Sequence, residues 1–160
     1  MTPIDWAKRP IQKYADFSGR APRAEYWWYV LAVIIVSIVA YVIDDLLSLK
    51  GTIGPYGPLS ALLGLALLCP GLAVATRRLH DTNRSAWWLL LLVPYAISTA
   101  MAAQAMASGS MAQLGSVGML AIVGLVGCIV LLIFMVLPGT PGDNRYGPNP
   151  YGATGGPATA

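Results

Sequence analysis

Charge is what this sequence has least of. Asp, Glu, Lys and Arg make up 11% of its 160 residues, where a soluble domain carries about a quarter. So few charges could not cover a water-exposed surface, and the 56% apolar content is gathered in long blocks rather than spread at helical period. The class this leaves is a membrane-embedded protein. Histidine occurs once, at His80, so a histidine metal cluster is excluded and no metal or cofactor is expected. The two cysteines, Cys69 and Cys128, both fall in apolar blocks, give no disulfide framework and read as small packing residues. No basic run and no nucleic-acid motif is present, so a nucleic-acid partner is not expected. The apolar blocks also lack a central ionisable residue, only small hydroxyls and Gln104 interrupting them, which disfavours an ion path through a single copy.

Four blocks remain that approach the roughly 20 residues needed to cross a bilayer core. They run from Tyr26 to Ile43, Leu59 to Thr76, Ala86 to Met106 and Val117 to Leu137. The second contains Pro70 and Gly71, so a kink or break is expected there. Gly118, Gly124 and Gly127 in the fourth, with Ala100, Ala102, Ala103 and Ala105 in the third, suggest close helix packing. The first block is too long for a signal h-region and no cleavage site follows it, so it is expected to remain as a span.

Lys and Arg set the orientation. Lys8, Arg9, Lys13, Arg20 and Arg23 precede span one, Arg77, Arg78 and Arg84 lie between spans two and three, and Arg145 follows span four. Lys50 alone lies on the other side, beside Asp44 and Asp45, which are expected to be solvated. This asymmetry places both termini in the cytoplasm and makes 107–116 an external hairpin. The fold class is therefore an all-α membrane protein of four transmembrane helices, N-in and C-in. Residues 1–146 form one membrane domain. Residues 4–17 suit a short interfacial helix with Pro10 near its start or at a break, and 147–160, rich in Gly, Pro, Ala and Thr, are expected to be disordered.

Polar chemistry concentrates in three stretches at one face: FSGRAPRAEYWW, RRLHDTNRSAWW and PGTPGDNRYGPNP. They carry Arg20, Arg23, Glu25, Arg77, Arg78, His80, Asp81, Arg84, Asn144 and Arg145, with Asp143 as a further acid. Tyr26, Trp27, Trp28, Trp87 and Trp88 read as an interfacial aromatic belt. Two readings of the arginines stay open. One is a salt-bridged layer, with Arg20 or Arg23 pairing Glu25 and Arg77, Arg78 or Arg84 pairing Asp81 or Asp143. The other is a site for anionic headgroups, since arginine forks phosphate. His80-Asp81 could be a general-base pair, but neighbours in a helix seldom face each other, and Asp81 reads more simply as a cap accepting from Asn83 or Arg84.

The three stretches resemble the bacterial inner-membrane family called domain of unknown function 805. The resemblance rests on Gly19, Arg20, Arg23, Tyr26 and Trp27, on residues 77–81 with Ser85, Trp87 and Trp88, and on Gly139, Thr140, Gly142, residues 144–147 and Pro150. It covers residues 14–150 and implies a small membrane protein without an established activity. A weaker internal echo pairs Trp27-Trp28 with Trp87-Trp88 and Pro70-Gly71 with Pro138-Gly139. An old duplication or the ordinary recurrence of belts and Pro/Gly punctuation would each account for it.

The reading that results is a non-enzymatic membrane protein. It would act on lipid headgroups or a membrane partner through its Arg/Trp face, and a homo-oligomer is a further expectation. A channel or transporter subunit is the alternative, and a lipid-phosphate enzyme around His80 is the more remote one.

Overall fold

The computed structural model describes residues 2–49, 51, 56–109 and 114–152, and these form helices and turns. Helix α1 (Pro3–Gln12) opens with a capping box. Thr2 Oγ1 accepts from Asp5 N, and the Thr2 N–H donates to Asp5 Oδ2 at 2.8 Å, with Pro3 in the first turn. The helix stops at Gln12, short of the expected 4–17, and runs through Pro10, which has no N–H to bond back to Trp6. In the turn that follows, Ser18 N and Oγ both donate to Asp16. Those bonds, with Lys13 3.3 Å away, hold the Asp16 acid at about 2.

Helices α2 (Arg23–Leu46) and α3 (Pro58–Asp81) are each long and apolar enough to span a membrane. The same holds for the stretch Ala86–Met106 and for α5 (Leu114–Val136). Span three is not a single helix as expected. It begins as a 3-10 helix, Ala86–Leu92, and continues as α4 (Val93–Ser108). Pro94 has no N–H for Leu90 O, and the Val93 N–H takes that carbonyl instead with a tighter, 3-10-type bond.

Pro70 neither breaks nor ends α3, which runs through it. The carbonyl that Pro70 leaves unbonded is that of Ala66, four residues back, and Tyr14 Oη donates to it at 2.5 Å. Tyr29 Oη donates to the next carbonyl, Leu67 O, at 2.9 Å. The proline defect is thus satisfied from outside the helix, by α2 and the segment after α1.

The chain packs as two antiparallel hairpins, α2 on α3 and α4 on α5, with α1 laid against α2. Among the described residues α4 approaches neither α2 nor α3. The hairpins meet where α3 and α5 end, through a cluster of Leu79, Leu131 and Met135 flanked by Tyr26, Leu89 and Phe134. Gly124 lets α5 approach α4 and Gly127 lets it approach the 3-10 helix, since a Cβ there would meet the Tyr95 backbone and Leu91 O. Gly118 has open space around it and takes no part, and of the four span-three alanines only Ala105 is buried.

Asp44 is not solvated. It is fully buried and caps α3 at the end away from the arginines. Its carboxylate accepts from Leu59 N (3.2 Å), Ser60 N (2.8 Å) and Ser60 Oγ (2.6 Å). Gly57 is what lets it in, because a Cβ there would collide with the carboxylate. Helix persists to Ser108 and resumes at Leu114, shortening the expected 107–116 hairpin. Residues 110–113, Lys50 and residues 153–160 of the expected tail lie outside the described residues.

Candidate functional site

A helix whose end is buried in protein must satisfy its last carbonyls without relying on water. The arginine stretches do this reciprocally for α3 and α5. Arg78, on α3, sends Nε to Met135 O at 3.2 Å and Nη2 to Leu137 O, capping α5, while its Nη1 holds Asp81. Arg23, on α2, adds a long bond to Val136 O (3.4 Å). A guanidinium at a helix C-terminus also complements the helix dipole.

In return, the segment after α5 caps α3. Thr140 N and Oγ1 donate to Asp81 O (2.8 and 3.1 Å), and Asn144 Nδ2 donates to His80 O at 2.9 Å. The α3 end itself closes with Arg84 N on Leu79 O and Asn83 N on His80 O, Asn83 taking the left-handed position at φ 58°.

Arg78 holds Asp81, one of the pairings the sequence offered, while Arg20 goes to Asp81 rather than Glu25 and Arg77 goes to Glu25. Asp81 is no cap for span three. It is buried, taking Arg78 on one oxygen and Arg20 on the other, with Arg20 Nε and Nη2 each 2.9 Å from Oδ1. Arg20 also donates to Gly142 O (2.6 Å) and Thr140 O (2.7 Å). Gly139 makes room for this, since a Cβ there would strike the Asp81 carboxylate. Glu25 pairs with neither Arg20 nor Arg23. Its Oε1 accepts Arg77 Nη1 at 2.7 Å, and Arg9 of α1 lies 3.5 Å from Oε2. Asp143 accepts the Asn149 N–H.

His80 and Asp81 do not form a general-base pair. The Asp81 carboxylate is occupied by the two arginines. His80 Nδ1 sits 3.2 Å from Gly19 O, which requires the proton on that nitrogen. Its ring stacks on Tyr146 at 3.9 Å, the planes 4° apart. The Asn144–Gly147 bridge follows, and residues 148–152 continue as bends and turns.

Other members of the sequence-derived set face outward. Arg23 and Arg145 are exposed, Arg145 lying 4.7 Å over Tyr146 and bonding Asn83 O. Half-buried Arg84 stacks at 4.1 Å on Phe134, which packs edge-on against Trp88. Trp27, Trp28, Trp87 and Trp88 are exposed, and Tyr26 packs edge-on against Trp27. Trp87, Trp88, Leu90 and Leu91 line an open apolar depression. Among the described residues no group of three or more His, Cys, Asp or Glu side chains converges to hold a metal ion.

The packing roles of Arg9, Tyr14, Asp44 and Gly57 escaped the sequence reading. Their partners lie in other helices, and no local motif marks them.

Comparison with known proteins bears on the whole of this arrangement. The family model described as "Protein of unknown function (DUF805)" matches residues 14–148. Inner membrane protein YhaI of Escherichia coli (strain K12) is 38% identical over 148 residues, covering 92% of this chain and 96% of the relative. Inner membrane protein YhaH of the same strain is 34% identical over 148 residues, covering 92% and 97%. No solved structure matches. The matched span runs from Tyr14, which caps the Pro70 defect, through the last turn of the α3 cap, and the chain belongs to the DUF805 family.

Proposed function

We propose that this chain is a non-enzymatic protein of the bacterial inner membrane, both termini cytoplasmic, that engages anionic lipid headgroups through cations its ion-pair network leaves outside. The observation that carries this reading is a division of labour among the basic residues. Arg20 and Arg78 are buried and spent on Asp81 and backbone carbonyls. Lys8, Arg23 and Arg145 are exposed and Arg84 is half-buried over Phe134, while Trp27, Trp87 and Trp88 are exposed as well. The nine-to-one distribution of Lys and Arg supports the cytoplasmic orientation. The inner-membrane names of the relatives support the location. The engagement of His80 by Gly19 and Tyr146 supports a structural rather than catalytic role for it.

Each cation near an anionic surface contributes about 1 kcal/mol. The triple variant Arg23→Gln/Arg84→Gln/Arg145→Gln should therefore lose about a hundredfold in affinity for phosphatidylglycerol nanodiscs while unfolding at the wild-type temperature. Native mass spectrometry from mild detergent should show the co-purified phosphatidylglycerol disappear. Retention of that lipid by the folded triple variant would sink the proposal.

A further inference from the structure

Three polar atoms at the junction of α1, α2 and α3 have no hydrogen-bond partner among the described residues: Arg77 Nε, Arg77 Nη2 and Glu25 Oε2. Both side chains are 1% exposed. Arg77 gives its Nη1 to Glu25 and so keeps its Nε–Nη2 edge free, the same edge with which Arg20 grips Asp81. That edge is the one suited to bidentate oxyanion binding. A buried donor without a partner costs about 1–3 kcal/mol, and more when charged. Arg9 Nε, at 3.5 Å from Glu25 Oε2, pairs with it by charge but is too distant for a good hydrogen bond.

The unmet groups specify a ligand. Arg9, Arg77 and Glu25 carry one net positive charge, which calls for an anion. The guanidinium edge needs two adjacent acceptor oxygens, and Glu25 Oε2 needs a donor. A carboxylate supplies the first and not the second. A phosphate with one proton supplies both, its anionic oxygens meeting Arg77 and its P–OH donating to Glu25.

We infer that the α1–α2–α3 junction, built on Arg77 with Glu25 and Arg9, is a binding site for a free or singly esterified phosphate group. Arg9, 32% exposed, is the member that reaches solvent, so the ligand enters past α1. This goes beyond the exposed cations of the proposed function and uses different residues.

The test uses the purified full chain in detergent, titrated calorimetrically with inorganic phosphate and with sulfate, and the chain in nanodiscs with or without phosphatidic acid. The variants are Arg9→Gln, which leaves the Arg77–Glu25 pair intact, and Arg77→Lys, which keeps a cation for Glu25 and removes the fork. Wild type should bind inorganic phosphate, phosphatidic acid or both, with each affinity at least tenfold weaker in both variants. The Arg23→Gln/Arg84→Gln/Arg145→Gln variant should retain that binding, which separates this site from the lipid-facing cations. Response to inorganic phosphate assigns a free ligand, and response to phosphatidic acid alone assigns a lipid one. If Arg77→Lys does not fold, Arg9→Gln decides. Wild type binding neither probe overturns the inference, as does Arg9→Gln binding as tightly as wild type. Sulfate, which carries no proton at neutral pH, binding as tightly as phosphate also overturns it.

Discussion

Arg78 reaches three acceptors at once because a guanidinium is a rigid fork. Its Nε and Nη2 reach the carbonyls of Met135 and Leu137 at the α5 end, and its Nη1 holds Asp81. Lysine would keep the positive charge, and with it the orientation signal, but could not span Met135 O, Leu137 O and Asp81 together. Arg78→Lys should therefore leave insertion unchanged and lower stability by about 2–4 kcal/mol, from two lost carbonyl bonds and a weakened buried pair. A thermal unfolding curve in detergent at the wild-type midpoint would show that the charge alone matters. The sequence brings these residues to one face, but it does not choose partners among them. Glu25 is an example. Arg23 stands two residues before it on the same helix and so points elsewhere, which leaves Glu25 to Arg77 and Arg9. That exclusion could have been read from spacing, whereas Arg20 choosing Asp81 depends on how the hairpins meet.

Proline acts at the scale of the helix, and here its effect is decided by a residue in another element. Pro70 frees Ala66 O, and Tyr14 Oη takes it. Tyr14→Phe should cost about 1 kcal/mol in the wild-type background. In a Pro70→Ala background the restored N–H of residue 70 bonds Ala66 O, so the same Tyr14→Phe change should cost close to nothing. A double-mutant cycle from unfolding midpoints checks this, and additive effects would rule out the coupling. The sequence marks Pro70 and Pro94 as perturbations but not their outcomes. At Pro94 the repair is local, a 3-10 bond within the same chain segment, and span three changes helix type. At Pro70 the repair is distant and the α-helix continues. The four spans themselves were legible because length and apolarity are local properties.

The whole molecule is held differently at its two ends. At the arginine end, Asp81 lies against Gly139 and links α3, the segment before α2 and the segment after α5. At the far end, Asp44 lies against Gly57 and links only α2 to α3. Each carboxylate occupies the space a Cβ would take, so alanine at either glycine forces a shift costing about 1–3 kcal/mol. The consequences should differ in reach. Gly57→Ala should speed amide exchange around residues 44–60 and leave α5 protected, since that clasp joins one hairpin to itself. Gly139→Ala should speed exchange at the ends of α3 and α5 together, on the order of tenfold or more, because it loosens the joint between hairpins. Hydrogen-exchange mass spectrometry on the two variants separates the cases. Equal spread of exchange in both would mean that the hairpins communicate along their length. Among the described residues α4 makes no contact with α2 or α3, which argues against that and makes the arginine end the place where this fold is decided.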